Sequence, residues 1–277
     1  MELSMQFFIF FIFLAIMSLS YGFSQEEKDP LIVENYLIEE TAGFESSTES
    51  VAVIFDCPVL SQYIFRGIPY VDDWVWQPSV TLSYKDFSVF IWTNWNMTNA
   101  DYYVFPDEKW KVSELDLYFS YKYKIDKLSI TGYIIDYEFP NAPIHRLAEL
   151  ALGIQYEIFL NPTLTAYYEC VYIHGWVIDF AVGHTFADVW NPYCDVNMSV
   201  ALNAYVEYST APWLEYFGGK NKSTFQDAFV GIGFPFQIGK HLTVAPIFQG
   251  TTLIDSWRDI TGRPDNFIFK LDATLVW

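Results

Sequence analysis

Positive charge is scarce in this sequence. Against 34 Asp and Glu there are 15 Lys and Arg, a formal net charge of -19. No basic run occurs, which excludes a nucleic-acid surface because phosphate binding needs clustered Lys and Arg. Cysteine is scarcer still. Cys57, Cys170 and Cys194 show neither CxxC nor Cys/His spacing, which excludes a zinc site and a disulfide framework. Cys170 and Cys194 could pair in an oxidising compartment; isolated, small apolar side chains are the reading adopted for all three. Histidine is limited to His145, His174, His184 and His241, none within a Ser-containing catalytic motif. No enzyme, metal or cofactor is therefore expected. After Gly22 no apolar run is long enough for a transmembrane helix.

Aromatic side chains are abundant, with Trp 10, Tyr 20 and Phe 25 in a chain that is 52% hydrophobic. That composition favours strands. Phe7 to Leu19 is an apolar run broken only by Ser18, the length of a signal-peptide core, and Ser20-Tyr21-Gly22 supplies small residues at the cleavage positions. Residues 1–22 are thus read as a signal peptide, although Met1 to Gln6 carries Glu2 and no Lys or Arg. Residues 23–50 hold eight acids against Lys28 and read as a mobile acidic arm, with a plug or partner-binding tail as its alternative.

From residue 51 the pattern has period 2. Leu115, Leu117, Phe119, Tyr121 and Tyr123 share one face, while Glu114, Asp116, Tyr118, Lys122 and Lys124 share the other. Residues 147–160 and 196–208 repeat the alternation. Segments of this length suit tilted strands crossing a bilayer. The expected strands span 52–66, 73–86, 87–98, 112–125, 127–138, 147–160, 163–173, 175–186, 195–209, 224–238, 240–252 and 266–277. The fold class is all-β, a transmembrane up-and-down antiparallel β-barrel of about twelve strands over 51–277. Tight and long connections alternate except at His174-Gly175 and 187–194. A soluble β-sandwich binding carbohydrate through its aromatics is the main rival fold.

In the last segment Phe267, Phe269, Leu271, Ala273, Leu275 and Trp277 alternate with Ile268, Lys270, Asp272, Thr274 and Val276. The pattern is similar to the closing strand of bacterial outer-membrane barrels, whose assembly signal is a terminal aromatic preceded by alternating apolar positions. Phe267, Phe269, Leu271, Leu275 and Trp277 would carry that signal, read by the barrel-assembly machinery. Ser61-Gln62-Tyr63-Ile64-Phe65-Arg66-Gly67 resembles the S-N-Y-x-F-R-G first-strand signature of a family of conserved hypothetical outer-membrane proteins of Gram-negative bacteria. Glu114 to Tyr121 and Gly132 to Pro140 resemble its next two segments. Gln62 replaces the usual Asn, and Pro69-Tyr70 stands where Ser/Thr-Gln is usual. The resemblance implies outer-membrane localisation and no chemistry.

The polar faces would converge on a lumen. Arg66, Glu114, Asp116, Lys122, Glu149, Glu169, Asp179, Glu207, Asp227, Lys270 and Asp272 are its candidate charges. Their excess of acids predicts a cation-preferring solute pore, and cross-strand pairing that fills a narrow structural barrel is the alternative. Arg66 is singled out because a guanidinium can clamp carboxylates in a fork. Trp92, Tyr118, Tyr133, Tyr167 and Tyr205 could face inward as a track for sugars. Trp74, Trp76, Trp95, Trp110, Trp176, Trp190 and Trp213 read as interfacial girdles. The expected partners are outer-membrane lipids and small cationic or sugar solutes. A barrel-borne enzyme acting on lipids is the remaining rival.

Overall fold

The alternating segments pair edge to edge into one antiparallel sheet that closes on itself, in a computed structural model that describes residues 51–99, 109–141, 144–193 and 195–277. The wall has twelve strands. They are β1 (Ala52–Asp56, continued by Val59–Leu60), β2 (Val75–Trp76 and Ser79–Tyr84), β3 (Phe87–Asn96), β4 (Val112–Ile125), β5 (Leu128–Glu138) and β6 (Leu147–Tyr156). There follow β7 (Thr163–Glu169), β8 (Trp176–Tyr193), β9 (Val196–Ser209), β10 (Thr224–Gly233 and Phe236–Ile238), β11 (Leu242–Leu253) and β12 (Asp265–Val276). Each strand pairs with its neighbours in sequence, and β1 closes the wall on β12, Ile54 opposite Val276 and Leu60 opposite Lys270. The signal peptide 1–22, the arm 23–50 and Cys194 lie outside the described residues.

Closure satisfies the backbone groups that an open sheet would leave at its edges. The side chains then sort by parity. Phe119, Ile134, Leu150, Leu164, Phe180, Phe225 and Phe267 point outward and are exposed all round the wall. Their alternating neighbours, such as Ser129, Thr165, Asp179 and Asp272, are buried inside. An apolar belt of that extent belongs in lipid, so the barrel is a transmembrane one. A single closed sheet also overturns the β-sandwich.

The two exceptions to the loop rule differ in the structure. His174 lies in the connection 170–175, at the end that also carries 61–74, 97–111, 139–146, 210–223 and 254–264. Residues 187–193 belong to β8, which continues through register shifts at Phe186/Trp190 and Trp190/Tyr193. At the opposite end 157–162 is as long as 170–175, while 85–86 and 126–127 are two-residue turns, helped by positive φ at Lys85 (55°) and Asp126 (51°). That conformation suits two-residue hairpins.

One expected strand is wrong. The segment 52–66 is not continuous wall, because the chain leaves β1 after Leu60 and forms a separate hairpin, Tyr63–Phe65 with Ile68–Val71. Its turn is Arg66-Gly67, at φ 49° and 75°, the signature of a two-residue turn with both central residues left-handed. Tyr63, Ile64, Ile68, Tyr70 and Val71 are all buried, on both faces of the hairpin. They share a core with Leu253, with Trp257 of the 3-10 turn Asp255–Asp259, and with Trp213 and Leu214 of the short helix α1 (Ala211–Tyr216). Trp213 is therefore no girdle residue: it is 1% exposed. Trp74, Trp110, Trp176 and Trp190 are exposed near strand ends.

Candidate functional site

The hairpin reaches strands on every side of the wall, which places it inside the barrel. Tyr63 Oη donates to Glu114 Oε2 on β4 at 2.9 Å. Gln62 Nε2 donates to the Phe267 carbonyl on β12 at 2.6 Å. On β10, Gln226 Nε2 donates to the Arg66 carbonyl at 3.0 Å. Gly67 approaches β10 and β11 so closely that a Cβ there would lie 2.7 Å from Asp227 Cβ and from Leu253 Cδ2.

Arg66 is the centre of this contact set. Its two terminal nitrogens donate to Glu149 Oε1 and Oε2 on β6 at 2.8 and 3.0 Å, a bidentate fork between side chains that are almost wholly buried. Such pairing combines charge with fixed geometry. Nε lies 3.9 Å from Glu207 Oε1 on β9. The guanidinium also sits over the rings of Trp213, Phe65 and Tyr167, at 4.7, 4.9 and 5.2 Å from their centroids. Tyr137 Oη adds a hydrogen bond to Glu149 Oε2 at 2.8 Å.

The remaining candidate charges fall in three groups. Glu114, Asp116, Glu149, Asp179, Glu207, Asp227 and Asp272 are buried on inward faces, as is Lys270, whose Nζ is 3.2 Å from Asp272 Oδ2. Asp179 and Glu207 stand directly opposite each other across β8 and β9, and Tyr205 Oη donates to Asp227 Oδ2 at 3.2 Å. Lys122 shares the inward parity of β4 and is half-buried towards the tight-turn end. Glu169 differs in kind. Its carboxylate accepts backbone N–H groups from Ala148, Val171, Tyr172, Ile173 and His174. It therefore folds the connection 170–175 around itself and has little left to offer a solute.

The same alternation in β1, β2 and β3 turns further polar side chains inward. Asp56 is buried on the inward face and accepts from Thr274 Oγ1 at 2.7 Å and Ser79 Oγ at 3.3 Å. Gln77, Asn94, Asn96 and Ser113 form a buried amide and hydroxyl network nearby. Cys57 and Cys170 are free thiols.

Beside the hairpin, lined in part by its Tyr63, Phe65 and Arg66, lies a cavity of about 140 Å³. Trp92, Tyr118, Tyr133, Tyr167 and Tyr205 all line it, together with Arg66, Asp56, Asp116, Glu207, Lys270 and Asp272. Carboxylates outnumber cations on this surface.

No protein-family profile matches the chain. No curated protein matches it either. Solved structures do show similar barrels. The KdgM porin is 10% identical, with 81% of this chain and 98% of that one covered at a TM-score of 0.46. For the NanC porin the figures are 9%, 82%, 99% and 0.47. An outer-membrane channel from Pseudomonas putida F1 gives 10%, 91%, 100% and 0.44. What this barrel's interior does must come from its own side chains.

All four histidines lie away from the cavity. His145 stacks on Tyr172, His184 packs between Phe159 and Phe186, His241 stacks on Trp277, and His174 is exposed in the connection 170–175.

Proposed function

We propose that this chain is an outer-membrane barrel acting as a passive, cation-preferring channel for small solutes, held shut by its inner hairpin in the conformation described. The observation that carries the reading is the charge of the interior. Among the described residues Asp56, Glu114, Asp116, Glu149, Asp179, Glu207, Asp227 and Asp272 are buried there against Arg66 and Lys270. A water-filled path along such a surface attracts cations and repels anions. We likewise infer kinship with the family whose signature Ser61 to Gly67 resembles.

A structural envelope role is the second reading, favoured by how completely the hairpin is tied to strands around the wall. Planar-bilayer recording separates the two. Purified wild type and a variant with 62–72 replaced by a short Gly/Ser linker are compared under a salt gradient. The channel reading expects larger conductance in the variant and a reversal potential of cationic sign. Anion preference, or silence in both proteins, would reject it in favour of the structural role.

A further inference from the structure

Among the described residues the buried charges around the hairpin do not balance. Arg66 is taken by Glu149 and lies beside Glu207, and Lys270 by Asp272. Asp116 has neither cation. It is 5% exposed, lines the cavity, and its Oδ1 accepts no hydrogen bond from any described residue. A carboxylate withdrawn from water without a partner is costly, and a cation brought to it relieves that cost.

The surroundings of Asp116 select the kind of cation. Across the sheet it stands directly opposite Trp92 on β3 and Tyr137 on β5. Tyr118, two residues along the same face, meets Tyr137 edge to face at 6.2 Å, and Tyr63 of the hairpin tilts against Trp92 at 5.6 Å. The hydroxyls of Tyr63 and Tyr137 are committed to Glu114 and Glu149, so their rings, not their oxygens, are what they can offer. Aromatic faces around a carboxylate suit a weakly hydrated organic cation better than an alkali ion that needs oxygen ligands. The cavity of about 140 Å³ is on the order of ten times the space that one water needs, room for a cation of a few heavy atoms.

We infer that the cavity beside the hairpin is a binding site for a small organic ammonium ion, with Asp116 as its counter-charge and Trp92, Tyr118, Tyr137 and Tyr63 as its aromatic walls. The inference rests on the cation-preferring reading of the interior and not on conduction. Binding without conductance would leave the site standing and remove the channel. Cation-selective conductance without binding would do the reverse.

The test is calorimetric titration of the detergent-solubilised full chain with tetramethylammonium chloride, against sodium chloride at matched ionic strength. The ligand is also supplied during refolding, so that a shut hairpin does not hide the site. The expected result is one saturable site, about tenfold weaker in the near-isosteric Asp116→Asn variant and weakened again in Tyr118→Leu. Heat-modifiable gel migration confirms that each variant is folded, and whichever variant folds decides the outcome. No saturable binding, unchanged affinity in the folded variants, or equal competition by sodium would overturn the assignment.

Discussion

Gly67 shows how narrowly one residue can be specified. Its φ of 75° already disfavours any side chain, at about 1–2 kcal/mol for an L-residue in the left-handed region. A Cβ there would also collide with Asp227 and Leu253. Gly218 has a similar φ of 83°, yet nothing lies within 4 Å of its would-be Cβ. Gly67→Ala should therefore lower the temperature at which the barrel unfolds on a heated gel well beyond Gly218→Ala. The second variant carries the conformational cost and the first adds the clash that pushes the hairpin from its seat. Equal shifts would show that the hairpin does not press on β10 and β11 as described.

At the scale of the element, β12 closes the wall and leads directly into Trp277. Backbone groups of Trp277 and Val53 exchange hydrogen bonds at 2.9 Å in both directions, and Trp277 is 77% exposed, its indole stacked on His241. Phe267, Leu271 and Leu275 are exposed outward, and Phe269 is half-buried on the same side. If assembly machinery reads that face, Trp277→Phe should be recovered in outer membranes at near wild-type level, because a terminal ring remains. Trp277→Asp should be recovered poorly. Even a fully buried aromatic is worth only on the order of 1–3 kcal/mol, and Trp277 is mostly uncovered by protein, so lost packing alone is too little to account for such a loss. Equal recovery of wild type, Phe and Asp variants, measured as heat-modifiable protein, would remove the assembly role from this strand.

Across the described residues the molecule is a wall with no free edge and an interior filled by the hairpin. Such a wall has no strand from which unzipping can begin in lipid or detergent, where each unpaired backbone group costs several kcal/mol. Unheated protein should consequently migrate as a compact band and boiled protein as an extended one. Identical migration, together with solubility in plain buffer, would contradict the barrel. The cationic sign of any reversal potential should also weaken towards 1 M salt, where the screening length falls to roughly 3 Å.

The sequence by itself determined the wall. In β4 and β12 an uninterrupted period of 2 assigns each side chain to lipid or interior, because a strand with unlike media on its two sides must alternate. The same parity marked Glu114, Asp116, Lys270 and Asp272 as inward, and twelve such segments counted the strands. Only the tertiary structure decided what fills the space they enclose. Tyr63 to Val71 is surrounded by protein on both faces, so its side chains are buried without alternating, and an apolar stretch continuous with β1 reads as more wall. Trp213, similar in type to the exposed Trp176, is buried because α1 folds over the hairpin. Arg66 and Glu149 are 83 residues apart. Their pairing depends on the closure of the barrel, which brings distant strands across a lumen from one another, a distance that no local pattern of residues encodes.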